Sequence, residues 1–122
     1  AQRLVRRLCP ACREAHPARD YELRLLALPD TTERPLLHQP KGCPRCDFQG
    51  YRGRLAIMEL LRIDPDLDEH IASRSTAREI SQAAIQKGFR PLADDGTRRV
   101  LEGETSLEEL CRVVNLTDRM FP

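Results

Sequence analysis

Two copies of one short pattern, Cys9-Pro10-Ala11-Cys12 and Cys43-Pro44-Arg45-Cys46, stand thirty residues apart in this chain. A Cys-x-x-Cys turn sets two sulfurs on one side of a tight loop. Two such turns facing each other set four thiolates at the corners of a tetrahedron, the geometry of structural zinc. Thiolates suit a borderline-soft ion, and four of them close its shell and leave no position for a reacting water. The spacing therefore predicts a metal that holds structure, with Cys9, Cys12, Cys43 and Cys46 as ligands.

Other readings of the same residues compete. A redox Cys-x-x-Cys usually comes singly, at a helix start after a strand, and the residues before Cys9 and Cys43 read as no strand; Gln2 to Leu8 has a basic helical pattern. A disulfide framework suits a secreted chain, and no apolar signal segment begins this one. An iron–sulfur cluster uses the same ligands but is the rarer occupant of two spaced pairs.

Gly42 precedes the second pair and Gly50-Tyr51-Arg52-Gly53-Arg54 follows it, so three glycines bracket a knuckle whose backbone turns sharply or approaches the metal closely. Leu55 to Leu61 has the length and composition of a strand, and Leu36 to His38 is a shorter candidate to pair with it. The glycines do not make a phosphate loop, because Gly-x-x-x-x-Gly-Lys-Ser/Thr occurs nowhere in the chain. The loop between the cysteine pairs is polar and contains proline, and is expected to order poorly without metal.

Helix punctuation dominates after Arg62. Asp64-Pro65 opens a short helix ending near Ser73. Thr76-Ala77-Arg78-Glu79 is a capping box for a second helix over 76–87, stopped by Gly88. Pro91 opens a third that carries Leu92, Val100 and Leu101 and ends at Gly103, and Thr105-Ser106-Leu107-Glu108 caps a fourth. In the fourth, Leu107, Leu110, Cys111 and Val114 share one stripe, which predicts a buried Cys111. The fold expected is α+β, with a tetracysteine lobe and small antiparallel sheet over 1–62 and about four short helices over 63–122.

The chain of 122 residues carries a formal charge of +1, split into +5 over residues 1–54 and −4 over 55–122. Aromatic residues are only 4% and Trp is absent, so base-stacking platforms are scarce. A zinc-ribbon module that binds nucleic acid remains the rival reading, supported by the tetracysteine and the basic first lobe but opposed by the near-neutral total and the acidic tail. A chaperone-type zinc domain fails on the spacing of Cys46-x-x-x-Gly50. His16, His38 and His70 are scattered and sit beside no nucleophile at catalytic spacing, and Asp94-Asp95-Gly96 lacks the further oxygens of a calcium loop. No apolar run reaches the roughly 20 residues of a membrane span. The start at Ala1, without Met, reads as a fragment of a cytoplasmic protein.

Gln2-Arg3-Leu4-Val5-Arg6-Arg7-Leu8-Cys9-x-x-Cys12, then Gly42-Cys43-x-x-Cys46-x-x-x-Gly50-Tyr51-Arg52-Gly53-Arg54 and Ile57-x-Glu59-Leu60, resembles the C-terminal part of secretion ATPases, the motors of type II secretion and type IV pilus assembly. Asp94-Asp95-Gly96, Val100-x-x-Gly103-x-Thr105-x-x-Glu108-Glu109 and Arg112-Val113 continue the similarity to about Val114. Ala56 departs from it where the family has glycine, which would shift the local backbone, and Asn115 to Pro122 has no clear counterpart. The resemblance implies a region following the RecA-like core of a cytoplasmic hexameric motor, type II secretion being favoured over pilus assembly. Walker and other catalytic motifs lie upstream in such motors, so ATP and Mg2+ belong to the parent protein, and this region alone would not hydrolyse ATP. The four cysteines correspond to the family's zinc-binding motif. The implied partners are the inner-membrane platform protein, which would hold the motor at that membrane peripherally, and neighbouring ATPase subunits, with Arg52 and Arg54 as candidate contact residues.

Overall fold

The computed structural model describes residues 1–29 and 33–117. It has an α+β fold with the chain order β1 (Gln2–Leu8), β2 (Glu14–Pro17), α1 (Asp20–Leu25), β3 (Leu36–Gln39), β4 (Tyr51–Met58), α2 (Pro65–Ala72), α3 (Ala77–Gln86), α4 (Leu92–Leu101) and α5 (Leu107–Val113). Residues 118–122, within the tail that lacks a family counterpart, lie outside the described residues.

The strand pairing differs from the sequence expectation. β4 pairs antiparallel with β1, from Gln2↔Met58 to Leu8↔Tyr51, while β3 pairs with β2, from Glu14↔Gln39 to Pro17↔Leu36. Gln2 to Leu8 is thus a strand and not a helix. The register shifts between Arg6 and Leu8, where Arg52 and Gly53 of β4 stand against Arg7 alone, and Val5 and Leu8 on either side are both buried at a spacing of three, which regular strand alternation does not give and a helix does. Leu4 stands on the outside of the strand, 51% exposed. The ladder runs without interruption through Leu4↔Ala56, so the alanine at the family's glycine position leaves the pairing regular.

The loop between the cysteine pairs is also more ordered than expected. It holds β2, β3 and α1, and Leu23, Leu25, Leu26 and Leu37 from it are buried in the main core. Helix α1 has Arg19 at its N-cap, a poor capping residue, and only Glu22 reaching back to the Arg19 N–H at 2.9 Å. Its order comes from burial of its leucines rather than from local signals.

The other helices begin where their caps lie. Asp64 accepts from the Leu67 N–H, Thr76 and Glu79 form the reciprocal box, and Ser106 accepts from the Glu109 N–H. Helices α4 and α5 pack on β1, β3 and β4 and complete the core with Leu92, Val100, Leu107 and Leu110. Helices α2 and α3 pack mainly on each other. Their excursion is closed at its base by two hydrogen bonds: the Leu92 N–H donates to Glu59 (2.7 Å) and the Met58 N–H to Asp95 (2.8 Å). No helix among the described residues is long and apolar enough to cross a membrane.

Candidate metal centre

The first knuckle forms as β1 ends. Beyond Leu8 the Cys9 carbonyl accepts from the N–H groups of Cys12 (3.3 Å) and Arg13 (3.0 Å), folding the Cys-Pro-Ala-Cys segment into a tight turn. In the second knuckle, Pro44–Cys46 makes one 3-10 turn, and the Cys43 carbonyl accepts from Cys46 (3.1 Å) and Phe48 (2.9 Å). Asp47 and Phe48 then adopt left-handed φ of 53° and 61°. The knuckles meet through the Cys9 N–H, which donates to the Gly50 carbonyl at 3.0 Å.

Two of the bracketing glycines are sterically required. Gly42 has φ +107°, and a Cβ there would lie 2.8 Å from the Phe48 carbonyl oxygen; a Cβ on Gly50, at φ +82°, would collide with the Pro40 side chain.

Four sulfurs converge as a result. Cys9 Sγ lies 3.8 Å from Cys43 Sγ, Cys12 Sγ 3.8 Å from Cys46 Sγ, and Cys43 Sγ 3.8 Å from Cys46 Sγ. All four fall within 4.8 Å of one another. An ion with four bonds to sulfur of about 2.3 Å sets its ligands about 3.8 Å apart in a tetrahedron, whereas a disulfide needs roughly 2.05 Å. The donor set and spacing fit a metal ion. Backbone N–H groups supply the outer bonds that orient such ligands: Gly42 donates to Cys12 Sγ (3.3 Å), while Cys43 (3.3 Å) and Gly50 (3.2 Å) donate to Cys46 Sγ.

These donors divide the thiols. Burial works against ionisation of Cys46, but the Cys43 and Gly50 N–H groups, with the Cys12 and Cys43 thiols, bring it down to about 6. Burial pushes Cys12 up to about 11, only partly offset by the Gly42 N–H. Although a strand does precede Cys9, contrary to the sequence reading, no helix begins at that cysteine, and the thiol pairs face each other across two knuckles. Four sulfurs around one ion leave no open coordination position, so the arrangement can crosslink but not activate water.

The remaining sequence candidates lie apart from the sulfurs. Arg52 and Arg54 are exposed on β4. Cys111 is exposed, not buried as its helical stripe predicted: Leu107 and Leu110 fill the core side of α5, and Cys111 turns to the rim of a cavity of about 320 Å³ shared with His16, Glu22 and His38. Burial, with Arg13 and His16 nearby, lowers the His38 imidazole.

Sequence reasoning passed over the residues that join the knuckles to the helices. Glu109, 3% exposed at its side chain, accepts from the Arg6 backbone N–H (2.6 Å) and from the Arg6 guanidinium, and pairs with Arg112. The Thr105 hydroxyl donates to the Arg6 carbonyl (2.8 Å), the Leu8 N–H donates to the Glu104 carbonyl (2.9 Å), and Tyr51 Oη shares a hydrogen bond with Ser106 Oγ (2.7 Å). The Arg13 guanidinium reaches the Gly103 carbonyl. The one sequence signal for these partners was the motif running from Val100 to Glu109.

A model of the type II/IV secretion system protein family matches residues 1–112. The chain belongs to this family. It is 44% identical over 113 residues to the type II secretion system protein E of Pseudomonas aeruginosa, covering 93% of this chain and 22% of that protein. It is likewise 44% identical over 117 residues to the type II secretion system ATPase E of Vibrio cholerae, covering 93% and 22%. The type IV pilus assembly ATPase TfpB of Acinetobacter baylyi is 38% identical over 126 residues, covering 96% and 20%. The chain thus spans about a fifth of the length of the relatives it matches. Within this secretion-system family fold, the sulfur cluster and the segment from Gly103 to Glu109 flank the same end of β1.

Proposed function

We propose that this chain is the C-terminal metal-binding region of the cytoplasmic hexameric ATPase that powers type II protein secretion, and that a structural zinc held by Cys9, Cys12, Cys43 and Cys46 stiffens it. The observation that carries this reading is the convergence of four sulfurs at tetrahedral spacing, in a chain whose relatives are secretion and pilus assembly ATPases. When bound, zinc supplies four closed coordination bonds and no reactive position.

The chain's own residues explain what stiffness achieves. Cys9 directly follows β1 and Gly50 directly precedes β4; β4 is bonded to α4 through Asp95, and β1 to α5 through Glu109 and to the segment before α5 through Glu104 and Thr105. A crosslink at the knuckles locks the strand ends together, so a push on one element moves the others. In the motor, this appendage transmits displacement from the ATPase core to the inner-membrane platform or a neighbouring subunit, with Arg52 and Arg54 at the contact. ATP and Mg2+ act elsewhere in the parent protein.

Native mass spectrometry of the purified chain tests the metal. One zinc per chain, lost in Cys9→Ser, is the expected result. A folded, metal-free chain with reversible intramolecular disulfides would favour redox chemistry instead.

A further inference from the structure

The cavity that Cys111 rims lies between the β2–α1–β3 unit and α5, and none of the four clustered cysteines lines it. Leu25, Leu37 and Leu107, all buried, give it an apolar floor. Set into that floor is the carboxylate of Glu22, whose side chain is 6% exposed. Its nearest polar contacts all fall on Oε1: the Arg19 N–H at 2.9 Å, the Arg19 guanidinium at 3.6 Å and His16 Nδ1 at 3.9 Å. Oε2 has no hydrogen-bond partner among the described residues. A buried carboxylate oxygen without a donor keeps the cost of leaving water and forgoes a charge-assisted hydrogen bond. An occupant of the cavity that donates to Oε2 removes that cost.

The rest of the lining narrows the occupant to a cation. Glu108 adds an exposed carboxylate with no ion-pair partner among the described residues, and Arg19 is the one lysine or arginine set against the two acids. His38 brings no opposing charge, because burial, with Arg13 and His16 nearby, lowers its imidazole. In the neutral His16 ring, Nδ1 donates to the Pro17 carbonyl at 3.0 Å, which leaves Nε2 as an acceptor. Tyr21, 45% exposed, supplies an aromatic ring at the rim, a surface on which organic cations rest. A metal ion fits less well, since the four cysteines are the one group among the described residues whose ligand atoms lie close enough to share an ion.

We propose that this cavity binds a guanidinium group carried on an aliphatic stem, with Glu22 Oε2 as its main acceptor, Glu108 as the second, and the three leucines against the stem. A guanidinium presents five N–H donors in one plane and is more weakly hydrated than an ammonium. It therefore meets a buried carboxylate and several further acceptors at the smaller desolvation cost. The group comes from an arginine side chain of a protein partner or from a free guanidino compound, and the recognition chemistry is the same. The inference goes beyond the metal and motor readings, as its residues are neither sulfur ligands nor the arginines of β4.

Titration of the zinc-loaded, isotope-labelled chain with N-acetyl-arginine N-methylamide, followed by NMR amide shifts, tests this. Saturable shifts at His16, Glu22, Leu37 and Glu108 are expected. The citrulline analogue, which keeps the shape without the charge, should cause none, and the lysine analogue should bind more weakly. Glu22→Gln keeps the capping acceptor at the start of α1 and should weaken binding about tenfold or more. Glu108 is exposed, so Glu108→Gln leaves the fold intact and should weaken binding about two- to fivefold. Tighter binding of the capped arginine than of propylguanidine assigns the site to a protein side chain, and the reverse order assigns it to a free compound. Absence of saturable shifts, equal binding of the citrulline or lysine analogue, or an affinity unchanged by Glu22→Gln overturns the proposal. Because the chain carries zinc throughout, such a failure leaves the metal reading standing.

Discussion

Gly42 shows how a single hydrogen atom in place of a side chain can decide a metal site. Its N–H donates to Cys12 Sγ, and a Cβ on it would lie 2.8 Å from the Phe48 carbonyl oxygen, so it can carry no side chain without moving backbone. Gly42→Ala should cost about 1–3 kcal/mol from the left-handed φ alone and lower zinc affinity, measurable by competition with a chromogenic chelator. Unchanged affinity would mean that the knuckle relaxes freely. Glu109 is the corresponding residue on the helical side. Burial opposes its ionisation, but the Arg6 guanidinium and backbone N–H, with Arg112, hold its carboxyl below the ordinary value. A depressed carboxyl contributes stability above its unfolded pKa and loses it as pH falls through the folded value. Glu109→Gln should therefore destabilise the chain by about 1–3 kcal/mol at pH 7. The gap between the urea midpoints of the two proteins should close as pH drops below the usual carboxylate range.

Helices α2 and α3 differ from the other elements in what they bury. Leu67 and Ala84 are the buried residues of this pair, while Ile71 and Ile85 are about half exposed. Lys87, bonded to Asp64 and Asp66, ties α3 back to the start of α2. Little of the main core depends on them, so they should open as a unit below the global unfolding free energy. Leu67→Ala should raise hydrogen exchange across 65–86 and leave Val5, Ile57 and Leu110 protected; exchange spreading evenly over the chain would show the hairpin to be integral. Glu59 marks the boundary, because its carboxylate caps the first N–H of α4. Glu59→Ala is expected to cost about 1 kcal/mol, as other cap losses do, and to raise exchange first at the start of α4.

Over the whole molecule, sulfur cluster and apolar core lie side by side and stabilise different parts. The core draws Val5, Leu37 and Ile57 from before residue 62 and Val100, Leu107 and Leu110 from after it. The knuckles contribute Cys9 and Cys46 as buried side chains and little aliphatic surface. Chelation of the metal should accordingly disorder 9–12 and 41–50 while the contact of α4 and α5 with the ladder persists, visible as selective loss of amide signals in those two segments. Concerted unfolding on chelation would show instead that coordination energy, on the order of 10 kcal/mol for a structural zinc, underwrites the entire fold.

Chemistry that depends on residue type and short spacing was already legible in the chain: the paired cysteines, the Asp64, Thr76 and Ser106 helix starts, and the family motifs. These are local devices, since a cap or a knuckle is made by residues within about four positions of one another. The partner of β4 and the order of α1 were not legible. Pairing joins residues more than forty positions apart, and the buried Val5 and Leu8 on either side of the register shift give β1 the apolar spacing of a helix. Cys111 was misjudged for a related reason, because only the packed position of Leu107 and Leu110 determines where the buried stripe of α5 ends. Tertiary structure alone decided that Glu109, remote from the cysteines in sequence, fastens the strand that ends at Cys9. Burial rewards such long-range contacts only after the chain has closed on itself, and no local pattern encodes that closure.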